Sequence, residues 1–347
     1  MSILSYVRFV PLLLVLVIGM GLVGTAEAET KVGGTLQGET AWTKDASPYI
    51  VTGDIVIPAG SRLHIGPGVT VRFKPDIRTD EGHNAFDLEI LVEGVLVLEG
   101  AAGDTVVLTS DASRRAYTDW QGIVVRGPEA RAELNAAVVE YANEGINCYQ
   151  GEVVVKNSTV RRCSEYGIVL YEGKGSFENV VVTGIGNRGG TAMGISVDRG
   201  SEVTIRDSYL IGIQNGLSFA RSSTGRIENT MISLCAKRAA LIRNSDPTFH
   251  GCTITSNELG FSISANAAPV INGSNIFENA TYDVVVASDF KGDPVKLDMT
   301  GNWWGETSLG LIEERIVDGL DDETIKAYVE IDPVLTEAVV LEATSEP

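Results

Sequence analysis

The chain has 347 residues, 44% of them hydrophobic, with 46 acidic against 27 basic side chains and a formal net charge of −19. So acidic a surface excludes nucleic acid as a partner, because phosphate binding needs clustered Lys and Arg. Three histidines and no Cys-x-x-Cys spacing argue against a zinc site, and 38 glycines suit a chain that bends every few residues.

Residues 1–28 read as a secretory leader. Arg8 charges its start, Phe9 to Val23 form a short apolar run, and Ala26-Glu27-Ala28 is a small-x-small cleavage site. The mature chain then begins at Glu29 and is secreted or periplasmic; no later stretch is apolar enough to span a bilayer. Residues 29–73 carry alternating strands at Val51–Ile57 and Leu63–Val71 with Gly and Pro bends between them. An exposed first coil would be an open sheet edge, so residues near Thr35–Tyr49 are expected to cover it. Residues 74–87, with Asp76, Asp80, Glu81, His83 and Asp87, read as a solvated polar loop rather than a cation site. Strands follow at Leu88–Glu93, Val95–Glu99 and Thr105–Thr109. A loop from Asp111 to Asp119 carries Arg114, Arg115 and Tyr117, and a further strand begins at Trp120.

From residue 133 to 290 a repeat takes over. Asn135, Asn157, Asn179, Asp207, Asn229, Gly251 and Gly273 mark it, in steps of 22 residues with one step of 28. Two positions before the markers stand Val155, Phe177, Ile205, Ile227, Phe249 and Ile271; three after stand Val138, Val160, Val182, Leu210, Ile232, Ile254 and Ile276. Asn, Asp and Gly tolerate the positive φ of a sharp bend. The flanking Val/Ile/Thr runs are too short for helix. Each repeat therefore reads as about three short strands, and strands one repeat apart pair in parallel at about 4.8 Å. Asparagines one repeat apart can bond along the axis.

This pattern resembles the right-handed parallel β-helix, or pectin-lyase-like, superfamily, in which Asn at the tight bend is a hallmark; Asn157, Asn179 and Asn229 match it. The resemblance covers about Thr35 to Leu335 and implies an all-β solenoid with coils of about 22 residues. That gives a single domain over 29–335, with an N-terminal cap and first coils at 29–73, coils at 74–296 and a C-terminal cap at 297–335. The longer step places an insertion near Gly184–Met193, and solenoid insertions line one face. In the cap, Gly301-Asn302-Trp303-Trp304-Gly305 and Ile331-Asp332-Pro333 resemble the ends of many microbial secreted β-helices. A helix is expected over Leu309–Val317 and a last strand over Val329–Leu335, with the two tryptophans shielding the final coil. Residues 336–347 read as a mobile acidic tail. Cys163 and Cys235 share an offset but lie three coils apart, roughly 14 Å, beyond disulfide reach. With Cys148 and Cys252 they are expected to be buried, unpaired thiols.

A second landmark recurs after each variable turn: Gly145, Gly167, Gly194, Gly216 and Gly260, with Arg238 and Tyr282 at the matching places. In related enzymes the strand after it carries the polysaccharide groove. Its outward residues here include Asn147, Tyr149, Val169, Tyr171, Ser196, Asp198, Ser218, Ala220, Leu241 and Arg243. Arg199, Arg221 and Arg243, spaced by 22, are expected to stack on successive coils behind Gln150 and Glu172. Such a strip would grip the carboxylates of a uronate chain, or would stand as a solvated array balanced by Glu172 and Asp198.

The binding surface so defined is Tyr149, Tyr171, Glu172, Asp198, Arg199, Arg221 and Arg243. A lyase would need a base and a carboxylate neutraliser, often Ca²⁺ held by clustered Asp. Asp198 and Arg221 are the catalytic candidates, and clustered aspartates on neighbouring coils are absent. Asp198, Glu172 and Asp207 make no hydrolase set. Asp246-Pro247 is followed by Thr248, which breaks the Asp-Pro-His pattern of alginate epimerases. The sequence thus points to a binding or structural role without a demonstrable active site, with carbohydrate the leading ligand class. The alternative is a polysaccharide lyase acting on an anionic polymer. No metal or cofactor is expected, Ca²⁺ being the one ion a lyase would add. A role in metal-site assembly, as in related periplasmic β-helix proteins, is weaker because His and Met are few.

Overall fold

The computed structural model describes residues 29–79 and 82–340; the segment read as a leader, residues 1–28, and the last seven residues lie outside them. The chain winds as a right-handed parallel β-helix in which 29 strands join one continuous array. Each winding has three strands. In one winding these are the two halves of Glu152–Arg161, bent at Asn157, followed by Tyr166–Tyr171. The three stacks they build are called here the first, second and third faces.

Inward residues of each face form columns of buried side chains. On the first face Trp42, Ile65, Leu98, Leu134, Val155, Phe177, Ile205, Ile227, Phe249 and Ile271 sit in register. On the second, Val71, Leu108, Val139, Val160, Val182, Leu210, Ile232, Ile254 and Ile276 do the same. Because every winding repeats the same inward pattern, the core is a file of stacked aliphatic and Phe side chains rather than one central cluster.

The bend between the first and second faces holds Asn157, Asn179, Asp207, Asn229, Gly251 and Gly273 at φ between 46° and 64°. Asn157 donates to Asn135 Oδ1 at 2.9 Å, Asn179 to Asn157 at 3.0 Å and Asn229 to Asp207 at 3.3 Å. The small residues that follow add a second ladder. Ser158, Ser208 and Ser274 Oγ accept the backbone N–H of Ala137, Val180 and Cys252 at 3.0–3.1 Å. One position is corrected. Asn135 pairs with Lys156, and Ala136 (φ 47°) takes the bend, so Leu134 and Val139 rather than Val138 fill the inward columns.

A buried side-chain ladder also lines the turn before the third face. Asn257 Nδ2 donates to the Ile232 carbonyl and to Asn279 Oδ1, both at 3.0 Å, and its Oδ1 accepts the Cys235 N–H at 3.0 Å. Asn257→Leu strands three buried backbone and amide groups. It is expected to cost roughly 3 kcal/mol or more, read as a fall in the urea midpoint, whereas Asn244→Ala on the exposed edge costs under about 1 kcal/mol.

At the N-terminal end Thr30–Thr35 adds a parallel strand to Tyr49–Ile57, with no strand beyond it among the described residues, so residues 35–49 do not close the edge as expected; Trp42 stacks on Tyr49 with ring centres 4.7 Å apart. At the other end Asn302 is fully buried, bonding the Ile271 and Met299 carbonyls, and Trp304 is buried beside it. The expected helix is shorter than its apolar spacing suggested, Leu309–Glu313, because Ile316–Val317 pairs instead with Val284–Val285 on the third face. The closing strand is Ala327–Glu330 rather than 329–335, paired with Val295–Asp298. In the segment expected to be a mobile tail, Val339 exchanges two 2.8 Å hydrogen bonds with Asn275. The four cysteines are buried free thiols, and burial pushes Cys163, Cys235 and Cys252 up to about 12.

Candidate functional site

The third face is the one whose outward side chains gather chemistry. Its register runs Arg126, Tyr149, Tyr171, Asp198 in one column and Val124, Asn147, Val169, Ser196, Ser218, Leu241 in the next. Tyr149 and Tyr171 lie one winding apart and stack nearly parallel, centres 4.9 Å apart and planes 18° apart. His83 approaches Tyr149 from the preceding loop at 6.0 Å, and the Arg199 guanidinium lies 5.0 Å over the Tyr171 ring. The result is a file of four π-systems along the helix axis: imidazole, phenol, phenol, guanidinium. It opens on a groove of about 510 Å³ lined by His83, Glu93, Arg126, Tyr149, Tyr171 and Glu172 among others. Arg126 bonds His83 Nδ1 at 3.3 Å, and Gln150 bonds Glu172 at 2.8 Å.

The arginine strip does not form as expected. Ala220 pairs with Arg243, which places Arg243 in the column of Tyr149, Tyr171 and Asp198. The column of Gln150, Glu172, Arg199 and Arg221 continues with Asn244, all five at positive φ. The cause is the turn before the third face, one residue longer between Ile232 and Ala240 than between Leu210 and Leu217. That extra residue puts Ala239, not Arg238, at the glycine landmark, and a second lengthening between Ile276 and Val284 puts Asp283 there instead of Tyr282. Arg199 is committed to Tyr171. Arg221 Nε sits 3.4 Å from Asp198 Oδ1, which also accepts the Arg199 backbone N–H at 2.7 Å. Asp198 is buried and its Oδ1 caps a turn, so that oxygen is committed to holding the backbone at Arg199. Tyr171 is pushed well above the usual phenol range, first by burial and then by Tyr166, with which it shares a hydrogen bond. Its hydroxyl proton is directed to Tyr166. Glu144, which accepts from Asn147 and from Gln121 at 3.2 Å, is raised by burial.

His83, Glu93 and Arg126 were not among the sequence candidates. Arg126 could have been found by carrying the Tyr149 column down one winding. His83 could not, since its loop reaches the groove by a path no period describes. That loop docks through Glu89, fully buried, whose Oε1 accepts the His83 N–H. Burial pushes Glu89 up to about 7 from 4.5, with the nearby Asp54 adding to the rise against the His83 bond. Between those values the folded chain holds a proton that the unfolded chain has released. Its stabilisation is therefore present below the lower value and lost as pH rises through the upper one, up to roughly 3 kcal/mol. Glu89→Gln should melt like the parent at about pH 5 and several degrees higher at about pH 8; equal melting at both would contradict it.

Among the described residues no three His, Cys, Asp or Glu side chains converge to hold a metal ion. A right-handed β-helix family model matches residues 144–297, and a pectate-lyase-like β-helix model matches residues 34–175. The chain is a right-handed parallel β-helix repeat protein of the pectin-lyase-like superfamily. This β-helix is similar in structure to a single-substitution mutant of the periplasmic alginate epimerase AlgG, with TM-score 0.61, 14% identity and 88% of this chain matched to 76% of that one. A double mutant of the same epimerase gives TM-score 0.52, 14% identity, 83% of this chain and 76% of that one. At such identity the likeness is one of fold. No curated protein sequence matches this β-helix. No described helix in it is long and apolar enough to cross a membrane.

Proposed function

We propose that this protein is a secreted or periplasmic glycan-binding β-helix that holds its ligand on the third face without turning it over. The observation that carries the reading is the file of His83, Tyr149, Tyr171 and Arg199 beside an open groove. With their faces taken by one another, by His83 and by Arg199, the two phenols turn ring edges to the groove, and the hydroxyl edge of a pyranose suits these together with Gln150, Glu93 and Glu172. Arg126 at the rim suits a carboxylate on the same sugar. The likeness to a periplasmic alginate epimerase supports both the compartment and an acidic polysaccharide as ligand. Catalysis by Asp198 and Arg221, the lyase alternative, is disfavoured because neither residue lines the groove and Asp198 Oδ1 is committed to capping the turn at Arg199. Affinity electrophoresis through gels containing uronate or neutral polymers tests the reading: retardation by a uronate polymer supports it, and free migration through every gel rejects it.

A further inference from the structure

A second constellation lies on the opposite edge of the third face, ahead of the strand Tyr166–Tyr171 that ends at the groove. Here Tyr141 (φ 64°) and Arg162 (φ 56°) occupy successive windings of a bend that later windings fill with Gly184 and Gly212. The loop from Asp111 to Asp119 brings Arg115 to the same spot. The Tyr141 ring is flanked by both guanidiniums, each carbon 5.5 Å from its centre. Arg162 also donates to the Tyr141 hydroxyl at 2.6 Å.

One carboxylate serves three arginines. Glu140, whose side chain is only 5% exposed, bonds Arg161 Nε at 2.7 Å and stands 3.7 Å from Arg115 and 3.9 Å from Arg162. Its other oxygen accepts the Thr109 hydroxyl at 2.8 Å. Among the described residues no other carboxylate lies within ion-pair distance of these three arginines. A chain of net charge −19 thus concentrates two unbalanced positive charges on half-exposed side chains held stiff by one ring and one buried acid. Like charges crowd at such a density where an anion is to be received, and pre-ordering of the forks removes the entropic cost of gripping it.

We propose that Arg115, Arg161 and Arg162 form an oxyanion site for a carboxylate or sulfate group of an acidic glycan. The glycan as ligand rests on the reading above; the anion site does not. The test uses the chain with sodium glucuronate and sodium sulfate as probes, followed by NMR of the arginine Nε–H signals. Gel retardation by a uronate, a sulfated and a neutral polymer is run alongside. The variant is Arg115→Gln with Arg162→Gln, which leaves Arg161 on Glu140; its melting curve verifies folding.

Arginine signals should shift with at least one probe, and the polymer bearing that group should bind the double variant about tenfold more weakly. Tyr149→Ala with Tyr171→Ala should leave the small-anion shift intact. If the probes shift the arginines but no polymer is retained, the anion site stands and the glycan reading falls. If polymers are retained equally by parent and arginine variant and neither probe moves an arginine signal, the site is overturned while the groove remains.

Discussion

Gly122→Val is expected to leave no stably folded chain. A Cβ at this residue would overlap the backbone carbonyl oxygen of Glu144 in the next winding, and the residue sits at φ 129°, which a β-branched side chain does not adopt. The same closeness recurs up the column: a Cβ at Gly145, Gly167, Gly194 or Gly216 would stand 2.5–2.6 Å from the carbonyl oxygen one winding above. Parallel strands about 4.8 Å apart leave room for a side chain pointing in or out, not for one aimed along the axis. The penalty exceeds about 5 kcal/mol, a large share of what a domain has in reserve. Gly310→Ala is the matched control. Its Cβ meets nothing within 4 Å in the short terminal helix, so the change should be neutral or stabilising by up to about 1 kcal/mol. Soluble yield and the urea midpoint of the two variants decide it; a folded Gly122→Val protein of parental stability would show that the windings are not stacked as described.

The second large effect is on binding. Tyr149→Ala and Tyr171→Ala should each weaken glycan retention roughly tenfold, and together by less than the product of the two because the rings support each other, an aromatic contact at the centre of an interface being worth about 1–2 kcal/mol. Neither ring belongs to the buried core, so the melting temperature should move little. Arg243→Ala, in the tyrosine column but two windings beyond Asp198 and outside the groove lining, should bind as the parent does. Dissociation constants from gel retardation at several polymer concentrations measure all three; retention unchanged in the double tyrosine variant would remove the groove as the binding surface.

The bend and the two faces beside it were legible through the regular windings because their spacing there does not change. From Val155 to Val160, Phe177 to Val182 and Ile271 to Ile276 the chain takes the same five steps, so a fixed spacing finds the inward residues of both faces from Val155 on. The third face was legible only in outline. The turn before it takes a different number of residues in different windings, and each change shifts the alignment of everything after it, which is how Arg243 came to be placed with Arg199 and Arg221. Tyr149 and Tyr171 were placed well because no such change falls between them. Ala136 was missed because a positive φ was sought on Asn, Asp or Gly. The C-terminal helix was read too long because Leu309, Ile312 and Ile316 suit a helix face equally well as a helix followed by a strand.

Binding without turnover is tested most directly by incubating the protein with uronate and neutral oligosaccharides and separating bound from free sugar. Mass spectrometry and NMR of the recovered sugar then follow. Retention of a uronate oligomer that comes back unchanged in length, unsaturation and ring stereochemistry is the expected result. Recovery of cleaved, unsaturated or epimerised sugar, abolished by Asp198→Asn, would contradict it.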